Sequence, residues 1–568
     1  MYLSDELIAS LQAAEDEYEI VGSCYCELLK YISDTDVSFI TRIGHLEMDA
    51  EYSQYAESFR DLWHSILKII SQIKGNFEEL GLDIEEVVER LLDKLKTFDC
   101  PDGMQEKVCI SIGMIHILGA IDWYIEKDLN EKGACFCTVY GPLNKGKSTR
   151  DCLVYFQERS SFFSGAYHRD KQDSFRVPLR PTRIGAMFKA LLMIPTNQLQ
   201  NIPRIIPVSA DECFEKMEDK KLYIASIPYI GFKTFQFCSY GKSHKLPQKG
   251  SDIESAGTST NKKDDDISGP FYVKYWEEAE EENKCRILAL LKKAIVKGAN
   301  IIVFPEFIMS SGMKDAIQMY LKQLDMAERK RLMLVFAGTH YAWDGKRGNN
   351  IIYIFSAFGD ELGQHYKYSP FLMQSEERIH SADLGGKDKT VTFYGMEEGA
   401  QDIEYVWRQY CKNCEILSDP GKECTMIDLE GVGRILPAIC RDVIDGEYVI
   451  HLANLFMPSM LIVPAWSRSV NSFDIRLSSL AATIHTASLL CNCCNAVGRQ
   501  NDLIGKFYMP QKQESYMKAQ KIELKREGCV GSCEEHGGCI MMIEVDFSEG
   551  VPFGKLDKVY YANEKDCS

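Results

Sequence analysis

Positive charge is in short supply. The 568 residues carry 65 Lys and Arg against 83 Asp and Glu, a net charge of −18. A chain that coats nucleic acid or an acidic membrane needs the reverse. The opening residues do not read as a basic, apolar leader either. The opening stretch MYLSDELIASLQAAEDEYEI has acidic residues where a secretory signal needs basic ones, and it has no apolar core. Near the start there is also no unbroken apolar run of membrane-crossing length. The longest, Val108 to Ile125, is interrupted by His116 and Asp122 and predicts a buried helix. No internal repeat is visible. The 21 cysteines are odd in number and scattered, which without a secretion signal predicts reduced thiols in the cytoplasm.

What is present suits packed domains. Hydrophobic content is 45% and charged content 26%, and the length predicts two or three domains. Tyr55, Phe59, Leu62, Ile66, Ile69 and Ile73 alternate steps of four and three, one stripe of an amphipathic helix that Gly75 stops. Asp83 then precedes Ile84, Val87, Val88, Leu91 and Leu95 in the same rhythm. Residues 1–130 therefore read as a helical bundle, and 131–218 as an irregular connecting region or small mixed subdomain. From 219 to 562 the texture is α/β. A strand at KLYIASIPYI is followed by GKSHKLPQKGSDIESAGTSTNKKDDDISG, which is nearly devoid of apolar residues, so 239–269 is expected to be a disordered insertion. The stretch WEEAEEENKCRILALLKKAIVKGA places Ile287, Leu290, Leu291 and Ile295 on one helix face, Gly298 ends it, and a strand follows: the βαβ signature of an α/β fold. Strand-like runs recur at LMLVFAGTHY, NNIIYIFSAFG, GRILPAIC, MLIVPAWS and LLCNCCNAVG, with a helix predicted over DGEYVIHLANLF.

Three reactive residues stand at the exits of such runs. Ile301 to Pro305 lead straight into Glu306, and an unpaired carboxylate buried there would be very costly. Lys367 follows the Ile351–Phe358 run and its turn, and Cys440 closes GRILPAIC. A thiol, a glutamate and a lysine are what cysteine-based attack on a carbon–nitrogen bond requires. The glutamate moves the proton, the thiolate forms the covalent intermediate, and the lysine steadies the developing anion.

The motifs KAIVKGANIIVFPE, HYKYS, AICRD, LIVPAWS and CNAVG, in this order, resemble the nitrilase, or carbon–nitrogen hydrolase, superfamily over about residues 221–547. The resemblance implies a four-layer αββα sandwich that commonly dimerises, here preceded by a mainly α-helical N-terminal domain. It also implies a catalytic set of Glu306 as general base and acid, Lys367 as anion-stabilising cation and Cys440 as nucleophile. The family's second glutamate, which orients the lysine, falls to Glu376 or Glu377, with Glu377 favoured. The backbone N–H of Arg441 would complete the anion hole, Trp466 would line the pocket, and Asp442 would hold the nucleophile loop. Ser369-Pro370-Phe371 stands where the family commonly has His-Leu, and Arg441 where an aromatic residue is frequent. Both departures bear on the substrate.

Other motifs compete for attention. GPLNKGKST, Gly141 to Thr149, fits the phosphate-binding loop pattern with Lys147 and Ser148, but no apolar strand ending in aspartate follows to hold magnesium. Cys529, Cys533, His536 and Cys539 could ligate zinc, and Cys411 with Cys414 form a C-x-x-C pair. The resemblance puts a glycine-rich turn at the first cluster, and Cys491 to Cys494 read as packing in a buried strand. The expected function is cytoplasmic, cofactor-free and metal-free hydrolysis of an amide, nitrile or N-carbamoyl group on a small molecule, by a homo-oligomer. A protein partner is expected at the helical region, with no membrane and no nucleic-acid site. The competing reading is a regulatory or sensor protein built on the same fold. Nitrilase-like domains joined to other modules occur in bacterial antiviral systems.

Overall fold

The computed structural model describes residues 1–33, 36, 39, 53–71, 84–131, 147–149, 151–156, 184, 188, 191–208, 221–229, 234–239, 270–329, 331–371, 415–429, 432–444, 447–494, 496, 503–513, 516–525, 538–546 and 553–561. The N-terminal part is helical: α1 (Asp5–Gln12), α2 (Glu17–Tyr31), α3 (Ala56–Ile70), α4 (Ile84–Thr97) and α5 (Glu106–Glu131). Ser4 and Asp16 start the first two helices by accepting the backbone N–H groups of Leu7 and Glu19, which satisfies donors a helix start leaves open. On α3 the buried residues include Phe59, Leu62, Ile66 and Ile69, and on α4 Val87, Val88, Leu91 and Leu95, as the spacing predicts. Each fully buried side chain of this size contributes about 1.5–3 kcal/mol. Among the described residues one helix is long and apolar enough to cross a membrane, Glu106–Ile125, and 89% of it is buried inside the protein. It is packed by α2 and α3. Gly75 and Asp83 lie outside the described residues.

Next comes a small antiparallel sheet, β1 (Lys147–Thr149), β2 (Cys152–Phe156) and β3 (Leu191–Pro195), in that order. Successive strand residues face opposite sides, and here each side serves a different core. Cys152, Val154, Leu191 and Met193 join the helical cluster. Leu153, Tyr155, Leu192 and Ile194 join the larger cluster of the rest of the chain. The small sheet is thus a layer shared by two cores.

The remaining elements are β4 (Arg204–Val208), β5 (Lys221–Ser226), β6 (Phe235–Ser239), β7 (Phe271–Tyr275), α6 (Glu280–Val296), β8 (Ile301–Val303), α7 (Ser311–Gln323), β9 (Leu334–Trp343), β10 (Gly348–Ser356), β11 (Glu361–Tyr366), β12 (Thr425–Leu429) and β13 (Gly433–Pro437). They continue with α8 (Arg441–Ile444), α9 (Glu447–Phe456), β14 (Met460–Ala465), α10 (Asp474–Thr483), β15 (Ala487–Asn492), β16 (Leu503–Gln513), β17 (Tyr516–Lys525), β18 (Cys539–Asp546) and β19 (Phe553–Tyr561). Two seven-stranded sheets result, ordered β11-β10-β9-β8-β5-β18-β19 and β17-β16-β15-β14-β13-β12-β4. The fold is mixed α/β. β5, β8 and β9 run parallel with α6 and α7 in their crossovers, and β13, β14 and β15 run parallel with α8 to α10 in theirs. Gly298, at φ +84°, turns the chain out of α6 toward β8, a conformation that favours glycine. The two sheets share one apolar core, and the thiol of Cys491 on β15 reaches the carbonyl of Val303 on β8.

The chain enters the second large sheet earlier than the sequence suggests. Arg204–Val208, inside the stretch read as irregular, pairs in parallel with β12 as its edge strand. Its apolar run is short and includes Pro207, and its residues are only partly buried or exposed, as an edge strand allows. Residues 240–269, the expected insertion beyond Ser239, lie outside the described residues, and β6 and β7 on either side pair antiparallel. A buried bidentate pair ties the modules together. Arg434 on β13 holds both oxygens of Asp428 on β12 at 2.7 Å, and its guanidinium lies 4.9 Å from the ring centre of Tyr155 on β2.

Candidate active site

Glu306 ends a short tail beyond β8. The N–H of the next residue, Phe307, is held by the hydroxyl of Thr339 on β9 at 2.9 Å. Phe307 sits at φ +62° and Cys440 at φ +47°. A non-glycine residue costs energy in this region, and such strain collects where geometry is demanded by the surroundings. Cys440 follows β13, its N–H bonded to Pro464 O, and α8 begins at the next residue, Arg441. Lys367 follows β11, its N–H bonded to Asn350 O at 2.9 Å.

The structure brings the three together, out of contact with solvent: Glu306 is 1% exposed, Lys367 1% and Cys440 3%. Lys367 Nζ donates to Glu306 Oε1 at 2.8 Å, and the Glu306 carboxylate is near enough to Cys440 for its charge to act on the thiol. Glu306 Oε2 accepts the backbone N–H of Trp466 at 2.9 Å, and the Trp466 carbonyl lies 3.9 Å from Cys440 Sγ. Burial raises the Glu306 pKa; Lys367 opposes this and a neighbouring carboxylate, Glu415, reinforces it. Burial also raises the Cys440 thiol well above its ordinary value, the Glu306 charge adds to that, and Lys367 works against it. For Lys367 the pull of burial toward the neutral amine is outweighed by Glu306 and Glu415, so the ammonium is held. Burial therefore favours the neutral thiol, and the Lys367 ammonium is paired with Glu306.

Glu415 is the residue that sequence reasoning missed. Its Oε2 accepts from Lys367 Nζ at 2.7 Å and from the N–H of Phe371 at 2.9 Å. Asn350 was missed too. Its amide nitrogen bridges Glu306 Oε1 and Glu415 Oε1, at 2.9 Å to each. Glu377, favoured as the second glutamate, lies outside the described residues. The signal for Asn350 was available, since it is a polar residue opening the apolar run of β10. For Glu415 nothing local pointed to the lysine.

Asp442 is fully buried and binds two loops at once. Its Oδ1 accepts the N–H groups of Tyr368 at 3.0 Å and Ser369 at 2.6 Å, and its Oδ2 that of Ile439 at 3.1 Å. The loop after the lysine is thereby tied to the loop before the cysteine. Burial pushes the Asp442 carboxyl up to about 7, against the opposing pull of Lys367 and of those N–H groups. A carboxyl raised in the folded state gives stability that is complete below its unfolded pKa of about 3.9 and is lost as pH rises through the folded value. Asp442→Asn, which cannot titrate, is therefore expected to flatten the fall in unfolding free energy between about pH 4 and pH 7, measured by urea melts along that range.

An aromatic shell surrounds the group. The hairpin β6–β7 brings Phe235 and Phe237 against Phe307 and Trp466, with ring centres 5.1–6.2 Å apart. Phe371 adds a further ring 6.2 Å from Trp466, so Trp466 meets Glu306 and Cys440 with its backbone and the shell with its indole.

The sequence matches no family model and no curated protein. Solved structures to which the chain is similar include Nit3 of Saccharomyces cerevisiae, a member of branch 10 of the nitrilase superfamily, at 15% identity and a TM-score of 0.28, over 55% of this chain and 93% of that one. An amidase from Nesterenkonia sp. matches at 14% identity and a TM-score of 0.28, over 43% of this chain and 84% of that one. The C. elegans NitFhit protein matches at 14% and 0.25, over 43% and 57%.

Elsewhere, Lys147, Ser148 and Thr149 form strand β1, antiparallel to β2. A phosphate-binding loop would instead deliver its lysine and serine to the start of a helix. Among the described residues no group of three or more His, Cys, Asp and Glu is placed to hold a metal ion. Cys411, Cys414, Cys529, Cys533 and His536 lie outside them, and Cys539 is buried on β18. Cys491, Cys493 and Cys494 are buried.

Proposed function

We propose that this chain is a carbon–nitrogen hydrolase of the nitrilase superfamily that cleaves a non-peptide C–N bond through Cys440. The observation that carries it is the convergence of three buried groups: Lys367 Nζ lies 2.8 Å from Glu306 Oε1, and Trp466 joins Glu306 to Cys440, its N–H 2.9 Å from Glu306 Oε2 and its carbonyl 3.9 Å from Cys440 Sγ. On this reading Glu306 takes the thiol proton as Sγ attacks the substrate carbon. Lys367 and the Arg441 N–H receive the anion that develops on the substrate's oxygen or nitrogen. For an amide, the C–N bond then breaks as Glu306 returns the proton to the departing nitrogen, leaving a thioester on Cys440. Water, deprotonated by Glu306, releases the acid and restores the thiol. A carboxyl with a raised pKa suits both directions of that transfer near neutrality.

The same proposal takes the two large sheets and their helices as the family's αββα sandwich, with residues 1–130 as a separate helical module. It carries over a small-molecule substrate, a cytoplasmic setting and self-association as a homo-oligomer. The sensor reading is favoured by a different observation, the small sheet shared between the two cores. One experiment separates them at the site. Limiting iodoacetamide, a small electrophilic amide, followed by peptide mass mapping, is expected to modify Cys440 at least tenfold faster than the buried Cys491. Glu306→Gln is expected to abolish that preference. Equal rates at Cys440 and Cys491 would defeat the catalytic assignment.

A further inference from the structure

The loop carrying Lys367 is held from outside the site as well as from within. Gly421 N–H donates to Lys367 O at 3.1 Å, and Gly421 packs so closely on the ring of Tyr368 that a methyl group there would collide with it. The Tyr368 ring also meets Tyr448 of α9, centre to centre at 4.8 Å. Tyr448 in turn reaches the N-terminal half. Its hydroxyl accepts the N–H of Asn201 and donates to the Asn201 carbonyl, each at 3.2 Å. The Asn201 side chain donates to Gly421 O at 3.3 Å. One residue of the link between β3 and β4 therefore grips both neighbours of Tyr368. α9 is docked to the same link again where His451 Nε2 lies 2.9 Å from Gln198 O, and to β2 where Phe456 meets Tyr155, ring centres 6.2 Å apart.

We propose that Tyr448 is a positioning residue for Lys367, clamping the lysine loop between the helix that follows the nucleophile and the link from the N-terminal module. This rests on the reading of Lys367 as the cation that steadies charge at the site. The chain of contacts is short and continuous: Asn201 to Tyr448, Tyr448 to Tyr368, Tyr368 to Lys367 through the backbone. Asp442, bonded to the Tyr368 N–H, fixes the inner side of the same loop. Packed side chains and hydrogen bonds of this kind carry coupling between sites when one arrangement is replaced by another. Without the Tyr448 ring, Tyr368 has space to withdraw, and Lys367 Nζ loses its register on Glu306 and Cys440. The cation that favours the thiolate is then further from the sulfur.

The test uses the full chain and the rate of iodoacetamide modification of Cys440 as a function of pH, with melting temperature followed in parallel. Lys367→Met should move the pH midpoint of modification upward, because the thiolate loses its nearest cation. Tyr448→Ala is expected to move it in the same direction and to slow modification about tenfold at neutral pH. Tyr448→Phe keeps the ring and drops the hydroxyl, and should slow it about threefold. A residue that merely packs would lower the melting temperature and leave the midpoint where it was. If Lys367→Met shifts the midpoint and both Tyr448 variants keep the wild-type value, the positioning role is overturned and the reading of Lys367 stands. If Lys367→Met leaves the midpoint in place, that reading fails and the positioning role falls with it. Should Tyr448→Ala not fold, Tyr448→Phe alone decides: a wild-type rate and midpoint overturn the proposal.

Discussion

Lys367→Met is expected to cost about 3–5 kcal/mol of folding stability, because it strands two buried carboxylates that share one cation. Lys367 Nζ lies 2.8 Å from Glu306 and 2.7 Å from Glu415, and none of the three side chains is more than 1% exposed. Methionine fills much the same volume, so the loss is electrostatic rather than a cavity. Without the cation, Glu306, already raised by burial and by the Glu415 charge, is pushed further toward its protonated form. The sign of the pH effect follows. Carboxyl pKa values raised in the folded state add stability at low pH and lose it as pH rises, so the penalty should grow from pH 4 to pH 8. The double variant Lys367→Met/Glu415→Gln removes one of the two competing charges and is expected to recover about 1–2 kcal/mol of the loss. Urea melts of the three proteins at two pH values check both statements. A Lys367→Met protein of unchanged stability would show that the ammonium is not the partner of these carboxylates in solution.

Glu306→Gln is expected to lower turnover of any true substrate by about a hundredfold to ten-thousandfold, the range ascribed to a positioned general acid or base. Two steps suffer together. The thiol, already raised by burial, loses its proton acceptor, and the leaving nitrogen loses its donor. Gln still offers an oxygen to Lys367 and Asn350, so the fold is expected to survive. The measurement is kcat/KM with circular dichroism on the same samples. Near-normal kcat/KM in Glu306→Gln would remove Glu306 from proton transfer.

The parts legible in the sequence were those where chemistry interrupts a pattern. Glu306, Lys367 and Cys440 each stand just beyond a run of strand residues, and the structure brings them together from the exits of β8 and β11 in one sheet and β13 in the other. The stripe on α3 was legible because helical spacing repeats over several turns. Glu415 was not, for a physical reason. It lies 48 residues beyond Lys367, and only the fold makes the two neighbours at 2.7 Å. The family spacing of about ten residues pointed to Glu377 instead. The small sheet was equally hidden. Both faces of β2 and β3 are buried, so no alternation of polar and apolar residues marks them, and three short strands give little periodicity to read. β4 was missed for a different reason, since its short apolar run of Ile205 to Val208 includes Pro207, which reads as a strand breaker, and at the sheet edge its residues stay partly exposed. Tyr448 is part of a helix readable from the sequence, but its reach to Asn201, 247 residues away, is a property of the fold.

The account rests on a covalent intermediate at Cys440, and that species has a mass. The full chain would be offered a panel of small amides, nitriles and N-carbamoyl compounds, quenched in acid during turnover and mapped by peptide mass spectrometry. The expected result is an adduct on the Cys440 peptide equal to the substrate without its leaving amine, released by hydroxylamine and absent from Cys440→Ala. For a nitrile the adduct equals the whole substrate. Release of ammonia or amine at the same rate by the wild-type protein and by Cys440→Ala, with no adduct on that peptide, would contradict it.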